Sequence, residues 1–317
     1  MKLSPDDQFI PNEENVAYVL RHYGLELTAY QEASSGIENR TLIVDTRSGK
    51  YVMRIYRHGK KKLGAIKLEL DFVNYLRMHN IKTPDIIANR EGERVTTERL
   101  HGKTWQIIVM EFAEGEHAQK YTEALLQDLA EIQAKMHNLS SQYNGELIDA
   151  TNVTALQGRQ LVEAISGKTI QDGRLLAFLQ RAGDYVVELP SDLPKGLCHL
   201  DYDKDNTLVK NGVVSAVLDF DDLAIAPFVV CLAYALWDVY VEAGEKSMKD
   251  YLTQYEKLRK LSEAERRYIK SAMLFRHYFV TTIKILYGHT SPDEISQYIN
   301  IEDTLRQPNV RPRQVEP

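Results

Sequence analysis

Between Glu26 and Phe112 apolar and polar positions alternate in short runs. Residues 26–32, 39–46 and 51–57 carry β-branched and aromatic side chains in partial alternation, with turn signals at Ser35-Gly36 and Ser48-Gly49. This pattern predicts strands joined by tight turns. From Leu63 to His79 the period changes: Ile66, Leu70, Val73 and Leu76 recur at helical spacing. Pro84 closes the connection that follows. Further strands are predicted at 86–90 and 94–98, then a stronger one from Thr104 to Phe112 containing Ile107, Ile108, Val109 and Met110.

Beyond Glu114-Gly115-Glu116 the pattern becomes helical. Leu125, Leu129, Ile132 and Met136 line one face of a helix over Leu125–Leu139, while Gln127, Glu131 and Lys135 line a face suited to water. Further helices are predicted at 156–166, 172–188, 228–243, 246–258 and 263–287, interrupted by a β segment from Gly196 to Phe220. The expected fold is therefore α+β and bilobal. Residues 1–112 form a strand-rich N-lobe, 113–116 a hinge and 117–317 a mainly helical C-lobe. Clefts between lobes are a usual place for ligands.

Composition narrows the function classes. The 317 residues are 44% hydrophobic and 26% charged, ample for a core without disulfide or metal staples. A net charge of −6 argues against a nucleic-acid partner, which favours a basic face. The longest apolar run, Ala224 to Trp237, is too short to span a bilayer, and Met1 to Asp7 lacks the apolar core of a signal peptide. Cys198 and Cys231 lie within apolar runs, which suits a reducing compartment. A cytoplasmic protein with no membrane partner is the expectation.

The chemistry concentrates in Cys198-His199-Leu200-Asp201-Tyr202-Asp203-Lys204-Asp205-Asn206 and in Val217-Leu218-Asp219-Phe220-Asp221-Asp222. Phosphoryl transfer asks a protein for positioning and charge neutralisation. It needs a carboxylate near the attacking hydroxyl and hard oxygen ligands for magnesium. An Asp followed five positions later by Asn can aim both side chains at one point. The apolar strand Ala216-Val217-Leu218, reached through a hairpin turned at Asn211-Gly212, delivers Asp219 beside them.

His199-x-Asp201-x-x-x-x-Asn206 followed by Asp219-Phe220-Asp221 resembles the catalytic loop and metal-binding segment of the aminoglycoside phosphotransferase and homoserine kinase-like family, which has a protein-kinase-like fold. The resemblance implies a kinase with ATP or GTP as co-substrate and Mg2+ as cofactor. It makes Asp201 the catalytic base, Asn206 and Asp219 the metal ligands, and His199 a structural support. In the N-lobe it implies a nucleotide loop at Ser34-Ser35-Gly36-Ile37-Glu38-Asn39, with Ser35, Gly36 and Asn39 facing the nucleotide; from the residues alone a plain hairpin turn fits equally well. Met110-Glu111-Phe112 resembles the hinge, with Glu111 and Phe112 on the nucleobase, and Gly115 gives the chain freedom there. Arg54 stands where kinases carry the phosphate-binding lysine, with Glu69 as its expected ion-pair partner. The Lys60-Lys61-Lys62 run reads as a solvated lead into the helix.

The acceptor implied is the hydroxyl of a small molecule. Asp203, Asp205, Asp222, Glu114 and Glu116 favour one that carries amines, such as an aminoglycoside, homoserine or another amino alcohol. Two rivals are a serine/threonine protein kinase and a nucleotide-binding pseudokinase. The short segment from Asp219 to the helix near Phe228 leaves little platform for a peptide, and the intact Asp201, Asn206 and Asp219 speak against the pseudokinase.

Overall fold

The computed structural model describes residues 9–33, 39–158, 172–287 and 292–306. They fall into two compact units, one built from the chain up to Asn152 with Gly196–Ile225, the other from Val153–Lys195 with the chain from Ala226 onward.

The first unit opens with a helix that the sequence pattern did not reveal, α1 (Glu13–His22). Asn12 caps it, its Oδ1 accepting the Asn15 N–H at 2.8 Å, and Glu13 and Glu14 complement the helix dipole. There follow β1 (Leu27–Glu32), β2 (Arg40–Thr46), β3 (Gly49–Ile55), α2 (Leu63–Met78), β4 (Ile86–Ile87), β5 (Thr96–Leu100) and β6 (Lys103–Glu111). These strands form one antiparallel sheet in the order β1-β2-β3-β6-β4, with β5 also paired to β6.

Strand alternation gives the sheet two different faces. Leu42, Val44, Met53, Ile55, Ile107 and Val109 pack with Val16, Val19 and Leu20 of α1. On the other face Ile108 and Tyr56 pack with Ile66 and Leu70 of α2. Arg54 lies between Met53 and Ile55 and is paired in register with Ile108, so it belongs to the α2 face. That alternation is what brings a strand arginine under a helix glutamate.

The same unit contains α3 (Glu123–Ser140) and a later β segment. Two short strands, β7 (Ala155–Gln157) and β8 (Val186–Glu188), belong to the second unit and pair with each other, together with α4 (Gly173–Asp184). The helix predicted over 156–166 is thus corrected to a strand at its start, and its remainder from 159 lies outside the described residues. The helix predicted over 172–188 stops at Asp184, because Val186 and Val187 suit a strand.

β9 (Lys195–His199) leads into the chemistry-bearing loop. β10 (Thr207–Lys210) and β11 (Val213–Val217) form the expected hairpin, with Asn211 at φ 55° and Gly212 at φ 80°, the signature of a type I′ turn. A short 3₁₀ turn, Phe220–Asp222, precedes β12 (Leu223–Pro227), which pairs with β9. The second unit continues with α5 (Phe228–Leu258), broken at Gly244 (φ 83°), then α6 (Glu263–Tyr287) and α7 (Pro292–Arg306). α6 starts in a capping box: Ser262 Oγ accepts the Glu265 N–H at 3.1 Å, and Glu265 Oε2 accepts the Ser262 N–H at 2.9 Å. No helix among the described residues is long and apolar enough to cross a membrane.

Candidate active site

His199, Asp201, Asn206 and Asp219 all belong to the first unit and are wired into one another. The buried His199 ring bridges two segments. Its Nε2 lies 2.8 Å from the Leu218 carbonyl, and its Nδ1 accepts the Asp201 N–H at 3.3 Å. A carbonyl on one side and an N–H on the other leave the Nε2-protonated tautomer. His199 thus ties the loop to the residue before Asp219, with Phe220 4.6 Å from its ring centroid.

The loop is shaped by Asp203, whose Oδ1 accepts the N–H groups of Asp205 at 2.8 Å and Asn206 at 2.9 Å. Asn206 Nδ2 donates to the Asp201 carbonyl at 2.7 Å and to Asp201 Oδ2 at 2.9 Å. Both partners are acceptors, so the amide nitrogen must face them and Oδ1 is turned away. The Leu218 N–H donates to the Asn206 carbonyl at 2.8 Å, which sets Asp219 beside the loop. Asp219 has left-handed backbone (φ 56°, ψ 65°), a conformation that costs a non-glycine residue about 1 kcal/mol or more. Strain of this kind is held where the surrounding structure dictates it, and it carries the chain from β11 into the 3₁₀ turn.

Arg54 reaches the same point from β3. Its Nη2 lies 3.0 Å from Asp219 Oδ1 and its Nη1 3.9 Å from Glu69 Oε1. Burial works against its charge, but Asp219, Glu69 and Asp221 more than offset this and hold it firmly protonated. The closer partner of Glu69 is Lys61, which also meets Asp221, at 2.7 Å from its carbonyl and 3.2 Å from Oδ1. The Tyr56 hydroxyl donates to Glu69 Oε1 at 3.0 Å. Burial raises the Glu69 carboxyl above the usual range against the pull of Lys61 and Arg54. Burial also acts to raise Asp221, yet Lys61 and Arg54 hold it below that range.

Two expectations change here. Glu69 is shared between Arg54 and Lys61 rather than held by Arg54 alone, and Lys61 is no solvated lead-in, with a side chain only 16% exposed. A signal existed in the sequence. Lys62 caps α2 without a side-chain hydrogen bond, and the first turn holds no acid, so a lysine run sits at the end of the helix dipole that disfavours cations. Cations placed there need carboxylates from elsewhere in the chain.

Asn39 joins the cluster: its Nδ2 donates to Asp221 Oδ2 at 3.0 Å, and its Oδ1 accepts the Arg57 N–H at 3.1 Å. Ser35 and Gly36 lie outside the described residues. Glu111 ends β6 with its N–H on the Asp85 carbonyl at 2.8 Å, and Phe112 follows with Lys50 Nζ 5.2 Å from its ring centroid. At Gly115 (φ 145°) an added Cβ would stand 2.5 Å from Ser215 Oγ and 3.0 Å from the Val209 carbonyl. The glycine permits the bridge between Glu116 and Val209, a closer constraint than freedom at a hinge. Among the acids expected to meet an amine, Asp203 shapes the loop, Asp205 pairs with Lys204, and Glu114 pairs with Lys210.

The donor set fits a divalent ion and a phosphate. Asn206 Oδ1 and a carboxylate with 46% of its side chain exposed, Asp219, are hard oxygen ligands. Arg54 Nε is buried with no hydrogen-bond partner among the described residues, an unsatisfied donor beside them.

The fold is of the protein-kinase-like class. An amicoumacin kinase in complex with AMP-PNP, Ca2+ and Ami superposes with TM-score 0.71 at 19% identity over 93% of each chain. A microcompartment-associated aminopropanol kinase gives 0.64 at 20% identity, over 93% of this chain and 95% of that one. Residues 29–268 match the phosphotransferase enzyme family, and the chain belongs to that family. A homoserine kinase of Bradyrhizobium diazoefficiens is 27% identical over 262 residues, 80% of this chain and 77% of its own. These relationships favour a small-molecule kinase over a protein kinase.

Proposed function

We propose that this chain transfers the γ-phosphate of ATP or GTP, with Mg2+, to the hydroxyl of a small amine-bearing molecule of the homoserine or aminoglycoside kind. The observation that carries the reading is the Asn206 amide. By donating twice to Asp201 it orients that carboxylate and turns its own Oδ1 away, toward a cation's needs. Asn206 Oδ1 and Asp219 would hold the ion, which neutralises charge on the phosphate oxygens when bound. Asp201, half-buried and fixed by Asn206, accepts the proton of the acceptor hydroxyl. Arg54 holds phosphate oxygens through its fork of donors. With the Glu111 N–H committed to Asp85, contacts to the nucleobase fall to the Glu111 carbonyl and the Phe112 N–H.

The choice of acceptor class is supported by relatives named for homoserine and aminopropanol. It is tested by offering γ-labelled ATP and GTP with homoserine, amino alcohols, aminoglycosides, macrolides and generic protein substrates. Label is expected on a small amine-bearing alcohol. Label on protein alone, or none on any acceptor, would refute the reading.

A further inference from the structure

Lys61 and Arg54 divide a task that one cation could perform. Both are held by carboxylates of the same cluster, yet their partners differ. Lys61 contacts Glu69 and both the carbonyl and carboxylate of Asp221, whereas Arg54 makes its short contact with Asp219 and stands 3.9 Å from Glu69. Glu69 is 4% exposed and receives one neutral donor among the described residues, the Tyr56 hydroxyl. A carboxylate buried that deeply takes whichever cation is in reach. With Lys61 absent, the cation in reach is Arg54.

We propose that Lys61 is a positioning residue that saturates Glu69 and Asp221 and thereby leaves Arg54 directed at Asp219 and at the nucleotide phosphates. Lys61 also ties the start of α2 to the segment 219–222 through the carbonyl and carboxylate of Asp221, alongside the Arg54 bridge from Asp219 to Glu69. Asp221 has a second anchor in Asn39, so loss of Lys61 releases Glu69 more than it releases Asp221. The inference rests on the reading of Arg54 and Asp219 as the phosphate and ion sites, and its test reads nucleotide binding rather than transfer.

The experiment titrates a fluorescent ATP or GTP analogue in the presence of Mg2+ against wild type, Lys61→Met, Lys61→Arg, Lys61→Met/Glu69→Gln and Lys62→Met, with thermal melts confirming folding. Lys62 is 80% exposed and pairs with Asp149 at the surface, so it controls for loss of a charge from the lysine run. Lys61→Met is expected to weaken binding about tenfold to a hundredfold, the scale of hydrogen bonds to a charged group. Lys62→Met should stay within about threefold of wild type, and Lys61→Arg, which keeps the charge without the compact ammonium, should lose less affinity than Lys61→Met. The informative variant is the double one. Glu69→Gln removes the charge that recaptures Arg54, so Lys61→Met/Glu69→Gln should regain most of the lost affinity, which a merely structural lysine would not allow. It also leaves no buried Glu69 charge uncompensated, so it remains a test should Lys61→Met not fold. A folded Lys61→Met that binds like wild type overturns the inference, as does a folded double variant that binds no better than the single one or, if that is unfolded, far below wild type. A wild-type chain that binds neither nucleotide overturns the reading of the site as well.

Discussion

Beneath the sheet of the first unit Arg54, Lys61, Glu69 and Asp221 are largely buried, and each meets a charge of opposite sign. Around His277 in the second unit, Trp237 Nε1 and the hydroxyls of Thr281 and Thr282 are neutral buried groups that lack partners among the described residues, and the buried Glu302 carboxylate is taken up by Arg181, Arg306 and the Tyr278 hydroxyl. Neither ring nitrogen of His277 makes a well-formed hydrogen bond among the described residues, and Phe178, Trp237, Tyr278 and Tyr298 surround the ring. Burial acts on both regions with opposite results. Where an opposite charge is in contact, the ionised form survives; where none is, the group is driven neutral. The first arrangement keeps charges available for chemistry, and the second yields only packing. This is why the charged cluster, rather than the deepest histidine, is the candidate site.

The largest effect expected of that difference is catalytic. Asp201→Asn should lower turnover by about two to four orders of magnitude. Nucleotide affinity and melting temperature should change little, because Asn206 keeps its bond to the Asp201 carbonyl. Wild-type turnover in the folded variant would remove Asp201 from the mechanism.

The second unit should show the next largest effect as a loss of stability in acid. Burial lowers the His277 pKa from 6.5 to about 4, with Glu302 and the Tyr298 backbone pulling the other way. The unfolded chain therefore takes up a proton before the folded one does. Stability is fully present above pH 6.5 and is lost as pH falls toward 4, by about 3 kcal/mol at most. Denaturant melts between pH 7 and pH 4 measure this, and His277→Leu should flatten the slope in that window. An unchanged slope would show that other groups govern it.

Arg54→Ala should come third, weakening nucleotide binding by about tenfold to a hundredfold. Arg54→Lys should recover part of the loss, since it restores charge without the planar fork. Isothermal titration would decide, and an unchanged affinity would assign the phosphates to another cation. Arg54 also marks how far the sequence could be read. Its strand and the helix that follows are legible from alternation and helical period, both local properties, while its pairing with Glu69 was what the family resemblance implied. The loop from His199 to Asn206 and the Asn211-Gly212 turn were legible for the same reason. The role of Lys61 was not, because it depends on Asp221, which is 160 positions away in the chain. Neither were the strands at Ala155–Gln157 and Val186–Glu188, which are stable only through pairing with each other.

The smallest expected effect divides the two regions by sign. Thr207 and Thr282 are both fully buried, so replacing either by valine exchanges a hydroxyl for a methyl group in nearly the same volume. Thr207 Oγ1 donates to the Lys204 carbonyl at 3.1 Å, within the loop that carries Asp201 and Asn206. Thr207→Val removes that bond and leaves the carbonyl with the Thr207 N–H at 3.3 Å, a loss of about 1 kcal/mol. Thr282 Oγ1 has no partner among the described residues, so its hydroxyl is already desolvated without return. Thr282→Val relieves that desolvation and should stabilise the chain by about 0.5–1 kcal/mol. Midpoints of urea unfolding for the two variants, measured at pH 7 where His277 is neutral, should move in opposite directions. A Thr282→Val variant that unfolds more easily than wild type would mean that the hydroxyl is satisfied after all, by a buried water or a partner it reaches in solution. The contrast between the two interiors would then narrow to His277 and Trp237.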